Sequence, residues 1–266
     1  MPVDPTKPRT ILVVHGVQTG NNSELNQDQL IADLLKSRLG NMHFQFKTDL
    51  YRYEDINDQA KQKFFKLNQL FTSLPIGLSL PDVALDLIGD VVSARLDTST
   101  AAQIRQGLKE KILEIFASGS PCYIVAHSLG SIYAFDVINE LMADKQFFDR
   151  NSRKIWPVQG LITIGSPIGL AMFKKVRNKV QELGEGTKLF RWINYWDRND
   201  PVVSGQIFGQ NLSGFEIAEN FRTDSPQMGW VIRDKVVDTG KAWLMAHVAY
   251  WEVPVVGDGI FELVTN

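Results

Sequence analysis

Ser128 stands in Ala126-His127-Ser128-Leu129-Gly130. Directly before it, Cys122-Tyr123-Ile124-Val125-Ala126 reads as a buried strand. Directly after it, Leu129 to Met142 has the apolar spacing of a helix. A serine on so sharp a strand-to-helix turn has its backbone pressed against its neighbours. The residues two before and two after must then be small, as Ala126 and Gly130 are. The turn lifts the hydroxyl above the sheet edge. It also aims the helix N-terminus, with its free N–H groups and positive dipole, at a developing negative oxygen. The chemistry this suits is attack by a serine on a carbonyl carbon.

The pentapeptide resembles the nucleophile elbow of the α/β-hydrolase superfamily, in its lipase/esterase group, with Ala126 replacing the first glycine of Gly-x-Ser-x-Gly. The resemblance runs from Ile11 to about Val253. It implies a mostly parallel central sheet with helices on both faces, a Ser-acid-His triad in that chain order, and two backbone donors for the oxyanion. Ser166, in Ile164-Gly165-Ser166-Pro167, also follows a strand. The residue after the nucleophile must donate its N–H, and proline has none. Ser166 is therefore expected in a tight turn.

His247 is the only histidine after Ser128, and in His247-Val248-Ala249-Tyr250 it resembles the His-x-x-Tyr near the C-terminus of lipase-like hydrolases. The other histidines fit less well: His43 lies far ahead of the elbow, His127 sits inside it as packing or support, and His15 ends the first strand. The acid is expected after the strand Leu189 to Trp196, where Asp197 and Asp200 compete. Asp200-Pro201-Val202 resembles the acid loop of lipases, so Asp200 is favoured, with Asp197 the alternative acid. The losing aspartate would cap a turn or pair with a cation. For the oxyanion hole the resemblance implies the N–H groups of Leu129 and of Val17, in His15-Gly16-Val17-Gln18, with His15 orienting that loop.

These residues need a frame. Short apolar, β-branched segments at Thr10 to Val14, Leu161 to Ile164 and Leu189 to Tyr195, and a weaker one at Val231 to Val237, join the strand before Ser128. Phe44 to Asp49 reads as an edge strand. Helical periodicity covers Gln27 to Leu39, Ala101 to Phe116, Leu129 to Met142 and Leu170 to Leu183. Strands apolar on both faces and alternating with helices mean an α/β fold. Residues 57–95 interrupt the alternation with an apolar helical stripe (Phe64, Leu67, Phe71, Leu74, Leu78, Leu80). The stripe reads either as a lid lining an acyl-chain site or as helices packed on the sheet. From Val202 to about Gln227 the pattern is irregular. One domain over 1–266, with a helical lid or cap insert at 57–95, is expected.

Composition excludes several classes. Lys plus Arg number 28 against 30 Asp plus Glu, a net charge of −2, which gives no basic stripe for nucleic acid. Cys122, the single cysteine, rules out a disulfide framework within the chain. Four scattered histidines without a Cys/His cluster argue against zinc. The N-terminus lacks a signal-peptide apolar core, and no apolar stretch is long enough to span a membrane. A cytoplasmic location is expected.

The reading is a serine hydrolase for small-molecule carboxylic esters, lipid-like ones included, working through an acyl-serine with no cofactor and no metal. The alternatives are a thioesterase or amidase using the same triad, or an inactive hydrolase-fold binding module.

Overall fold

The computed structural model describes residues 3–15, 27–39, 45–52, 99–148, 155–170, 173, 191–205, 217, 231–242 and 244–265. The first strand, β1 (Arg9–Val14), has Ile11, Leu12, Val13 and Val14 all fully buried. Leu12 and Val14 join one apolar layer, Ile11 and Val13 the other, as the two-residue period of a strand requires. With β2 (Phe46–Tyr51), β3 (Cys122–His127), β4 (Val158–Ile164), β5 (Arg191–Asp197) and β6 (Val231–Val237) it forms a six-stranded sheet. The order is β2-β1-β3-β4-β5-β6, and every pairing is parallel.

The helices are α1 (Gln27–Leu39), α2 (Ser99–Ala117), α3 (Leu129–Ala143), the single turn α4 (Pro201–Ser204), α5 (Leu244–Val248) and α6 (Pro254–Thr265). One face of the sheet packs against α2 through Ile104, Leu108 and Ile112, and against α3 through Ile132, Phe135 and Ile138. The other packs against α1 through Ile31 and Leu35, and against α6 through Val256, Ile260 and Leu263. A parallel sheet covered on both faces is the architecture expected from the sequence, an α/β-hydrolase-type fold.

The order of the strands decides where a ligand can sit. From β1 the chain moves to β2 on one side and later to β3 on the other. The carboxyl ends of β1 and β3, where this direction reverses, are the place at which open α/β sheets ordinarily take their ligands. Ser128 follows β3 directly.

A polar row, buried at Thr163 and Asn194 and half-buried at Asp234, ties the strands of the other half in register. Thr163, Asn194 and Asp234 are register partners across β4, β5 and β6. The Trp192 indole N–H donates to Thr163 Oγ1 (2.9 Å), the Thr163 hydroxyl to Asn194 Oδ1 (2.8 Å), and the Asn194 amide to Asp234 Oδ1 (2.9 Å). A slip by one residue would leave these groups buried and unpaired, so the row fixes how far each strand end projects.

The structure shifts some expected boundaries. The edge strand spans Phe46–Tyr51 rather than Phe44 to Asp49, its limits set by pairing with Arg9–Val14. The stretch read as irregular from Val202 opens instead inside a helical turn, because Pro201 suits a first helical position and Asp200 caps it. The segment 57–95, most of Leu170 to Leu183, His43, and Gly16 to Gln18 with Val17 lie outside the described residues. Among the described residues no helix is long and apolar enough to cross a membrane, and no cluster of His, Cys, Asp and Glu suits a metal.

Candidate active site

Ser128 has φ 51° and ψ −130°, and it is the one non-glycine residue with positive φ among those described. Serine ordinarily caps a helix with its hydroxyl. Here it makes no side-chain cap bond; Ser131 instead donates both its N–H (3.0 Å) and its hydroxyl to the Ser128 carbonyl. The strained backbone turns the Ser128 hydroxyl away from the helix and leaves it free for another partner. Gly130 makes the turn possible: a Cβ there would overlap the backbone oxygens of Val14 and His15, so α3 could not approach β1.

The hydroxyl's partner is His247. Ser128 Oγ lies 2.9 Å from His247 Nε2, and His247 Nδ1 lies 2.8 Å from Asp200 Oδ2. All three side chains are buried. Asp200 gathers only donors. Its Oδ1 accepts the N–H groups of Val202 (2.9 Å) and Val203 (3.4 Å), and its Oδ2 faces His247 Nδ1 and the Tyr250 hydroxyl (2.9 Å). An oxygen so placed accepts, so His247 carries its proton on Nδ1 and presents a bare Nε2 to the serine. The capping role and the acid position thus come from one residue: the turn that Pro201 begins orients the carboxylate that meets the imidazole.

Asp197 is held elsewhere. Its Oδ1 accepts the Asn199 N–H (2.8 Å), and its Oδ2 accepts the Thr239 N–H (2.7 Å) and hydroxyl (2.6 Å). It clasps the end of β5 to the residues after β6, and it does not touch His247. Ser166 accepts the Ile168 N–H (3.3 Å) and lies 2.6 Å from Ser131 Oγ. Because the Ser131 proton goes to the Ser128 carbonyl, Ser166 is the donor in that pair.

Three further residues shape the site. His127 donates its Nε2–H to the His247 carbonyl (2.7 Å), and its ring lies 4.8 Å from the His247 ring. Burial, then the neighbouring His247, holds the His127 pKa well below the usual histidine value, so it stays neutral. The sequence places His127 beside Ser128 but carries no sign that it reaches the backbone of a residue 120 positions away. Gly165, at φ +57°, forms the floor: a Cβ there would stand 2.8 Å from the Tyr250 ring, 3.1 Å from His247 Nδ1 and 3.2 Å from Asp200 Oδ2. Tyr250, already marked by its spacing from His247, meets both aspartates, accepting the Asp197 N–H (2.8 Å) and donating to Asp200.

Leu129 is the first residue of α3, where a backbone N–H has no partner within the helix. It follows Ser128 directly in the chain. The structure therefore brings together Ser128, His247 and Asp200, and leaves Asp197 and Ser166 in structural bonds.

No protein-family model matches the chain, and no curated protein matches it. Among solved structures it is similar to TT1662 from Thermus thermophilus, at 12% identity and a TM-score of 0.45, over 98% of this chain and 89% of that one. It is also similar to a protein of Agrobacterium vitis S4 described as a candidate hydrolase, at 10% identity and a TM-score of 0.40, over 99% and 90% of the two chains. At such values neither likeness assigns an activity; the fold and the buried Ser128-His247-Asp200 arrangement rest on the geometry above.

Proposed function

We propose that this protein is a serine hydrolase that cleaves carboxylic esters. The observation that carries the reading is the continuous hydrogen-bonded chain from Ser128 Oγ through His247 to Asp200, set on a strained elbow after the carboxyl end of β3. In this reading His247 Nε2 takes the serine proton as Oγ attacks the ester carbonyl. Asp200 stabilises the imidazolium that forms. The Leu129 N–H receives the oxyanion, with Val17 as the second donor that the sequence suggests. His247 returns its proton to the departing alcohol, leaving an acyl-serine, and then activates the water that releases the acid.

Labelling with a fluorophosphonate, followed by p-nitrophenyl esters of increasing chain length, tests the reading. Wild-type protein should label and turn over, and Ser128→Ala should do neither. A preference for acetate would mark an esterase, and a preference for long chains a lipase. A wild-type protein that neither labels nor hydrolyses would mean a binding module.

A further inference from the structure

We propose that Tyr250 is a positioning residue that locks the Asp200 carboxylate onto His247 and thereby places the acidic limb of the pH–activity profile; this rests on the serine-hydrolase reading above. The Tyr250 hydroxyl has two partners, and both belong to the acid loop. It accepts the Asp197 N–H at 2.8 Å and donates to Asp200 Oδ2 at 2.9 Å, the same oxygen that faces His247 Nδ1 at 2.8 Å. One hydroxyl therefore fastens the end of β5 to the acid. His247 and Tyr250 lie three residues apart, where α5 passes into the 3-10 turn Ala249–Glu252, so one short segment grips one carboxylate oxygen twice.

The surroundings allow little else. Asp200 Oδ1 is held by two backbone N–H groups, and the position a Gly165 side chain would fill is bordered by Tyr250, His247 and Asp200 together. Phenylalanine would fill the same space, but only the hydroxyl can make the bridge. Burial, then the charge of Asp200, raises the Tyr250 pKa well above its ordinary value, so the phenol remains a donor.

A donor on Oδ2 draws negative charge away from the His247 side of the carboxylate. An imidazolium formed at His247 is then stabilised less than a lone aspartate would stabilise it. Among the described residues, the groups facing His247 are Asp200 at the cap of α4, Ser128 and neutral His127 at the turn between β3 and α3, and Tyr250 on its own segment. Asp197 lies behind Tyr250, and His15 acts on His127. Tyr250→Phe removes the bond to Asp200 and the bond from the Asp197 N–H, and leaves every charge in place.

The test is the pH dependence of p-nitrophenyl acetate hydrolysis by the full chain. Tyr250→Phe should lower kcat about tenfold with KM unchanged. Its acidic limb of kcat/KM should move up by about half a pH unit, because a carboxylate that has lost the phenol donor stabilises the imidazolium more. Site-specific 3-fluorotyrosine at position 250, a stronger donor of nearly the same shape, should move the limb down. Opposite displacements are something a merely space-filling ring would not give. If Tyr250→Phe does not fold, the direction seen with fluorotyrosine decides alone. An active enzyme whose limb stays put in the folded variants overturns the role of Tyr250 only. A wild-type protein without hydrolysis removes the serine-hydrolase reading and this inference with it.

Discussion

Ser128 and Ser166 end neighbouring parallel strands, and their backbones send them to opposite fates. At the end of β3 the positive φ falls on the serine itself, 51° at Ser128. At the end of β4 it falls one residue earlier, +57° at Gly165, and Ser166 is ordinary at φ −79°. Ser166 consequently caps the turn Pro167–Gly169 with its hydroxyl, whereas Ser128 caps nothing and faces His247. The residue type after a strand does not decide what the hydroxyl meets; the position of the strained residue does. Holding a non-glycine residue in such a conformation costs about 1–3 kcal/mol, and the packing around Gly130 sustains it.

The largest effect should come from the acid that serves the first serine. In Asp200→Asn the oxygen is kept as the helix cap, so the amide nitrogen faces His247 Nδ1 and drives the imidazole into the wrong tautomer. A fall in kcat of roughly 10³ or more is expected for Asp200→Asn, with less than about tenfold for Asp197→Asn. Asp197→Asn should instead lose about 1–3 kcal/mol in urea unfolding, because its oxygens hold Thr239 and Asn199. Equal kinetic losses in the two variants would erase the distinction between them.

The residues that precede the two serines extend the contrast. Gly165→Ala puts a Cβ against Tyr250, His247 and Asp200 at a positive φ. It should lower kcat about 10- to 100-fold through misplacement of the His-Asp pair, measured with saturating ester. His127, before Ser128, should be felt in stability rather than in rate. Its folded pKa lies below its unfolded value. Between those two values the unfolded chain holds a proton that the folded chain lacks, so stability rises with pH and is lost on acidification. Below about pH 6.5 the contribution should be up to about 1.4 kcal/mol per pH unit until the folded pKa is reached. His127→Gln should flatten that part of a melting-versus-pH series.

The smallest effect has a sign that differs between the two serines. Ser128→Gly should be more stable than Ser128→Ala by about 1 kcal/mol, since glycine accepts the positive φ without strain. At position 166, where φ is ordinary, alanine should be the more stable of the two. Urea midpoints of the four variants check the pair of signs.

What could be read from the sequence was local. The strand, serine and helix around Ser128 are contiguous, and their periodicities change within a few residues. Val231–Val237 was readable for the same reason. Both aspartates of the acid loop are visible in the sequence, but which one meets His247 depends on Thr239, Asn199 and Tyr250, which claim Asp197 from separate elements. The row of Thr163, Asn194 and Asp234 is equally hidden. Each residue looks like a polar interruption of an apolar strand until the register brings the three together. The Gly165 floor is legible only once His247 and Tyr250 are seen to pack over it.

The most direct measurement is mass-spectrometric mapping of the fluorophosphonate adduct on wild-type protein, Ser128→Ala and Ser166→Ala. The expected result is an adduct on Ser128 in wild type and Ser166→Ala, and none in Ser128→Ala. An adduct on Ser166, or labelling that survives in Ser128→Ala, would contradict the assignment of Ser128 as the nucleophile.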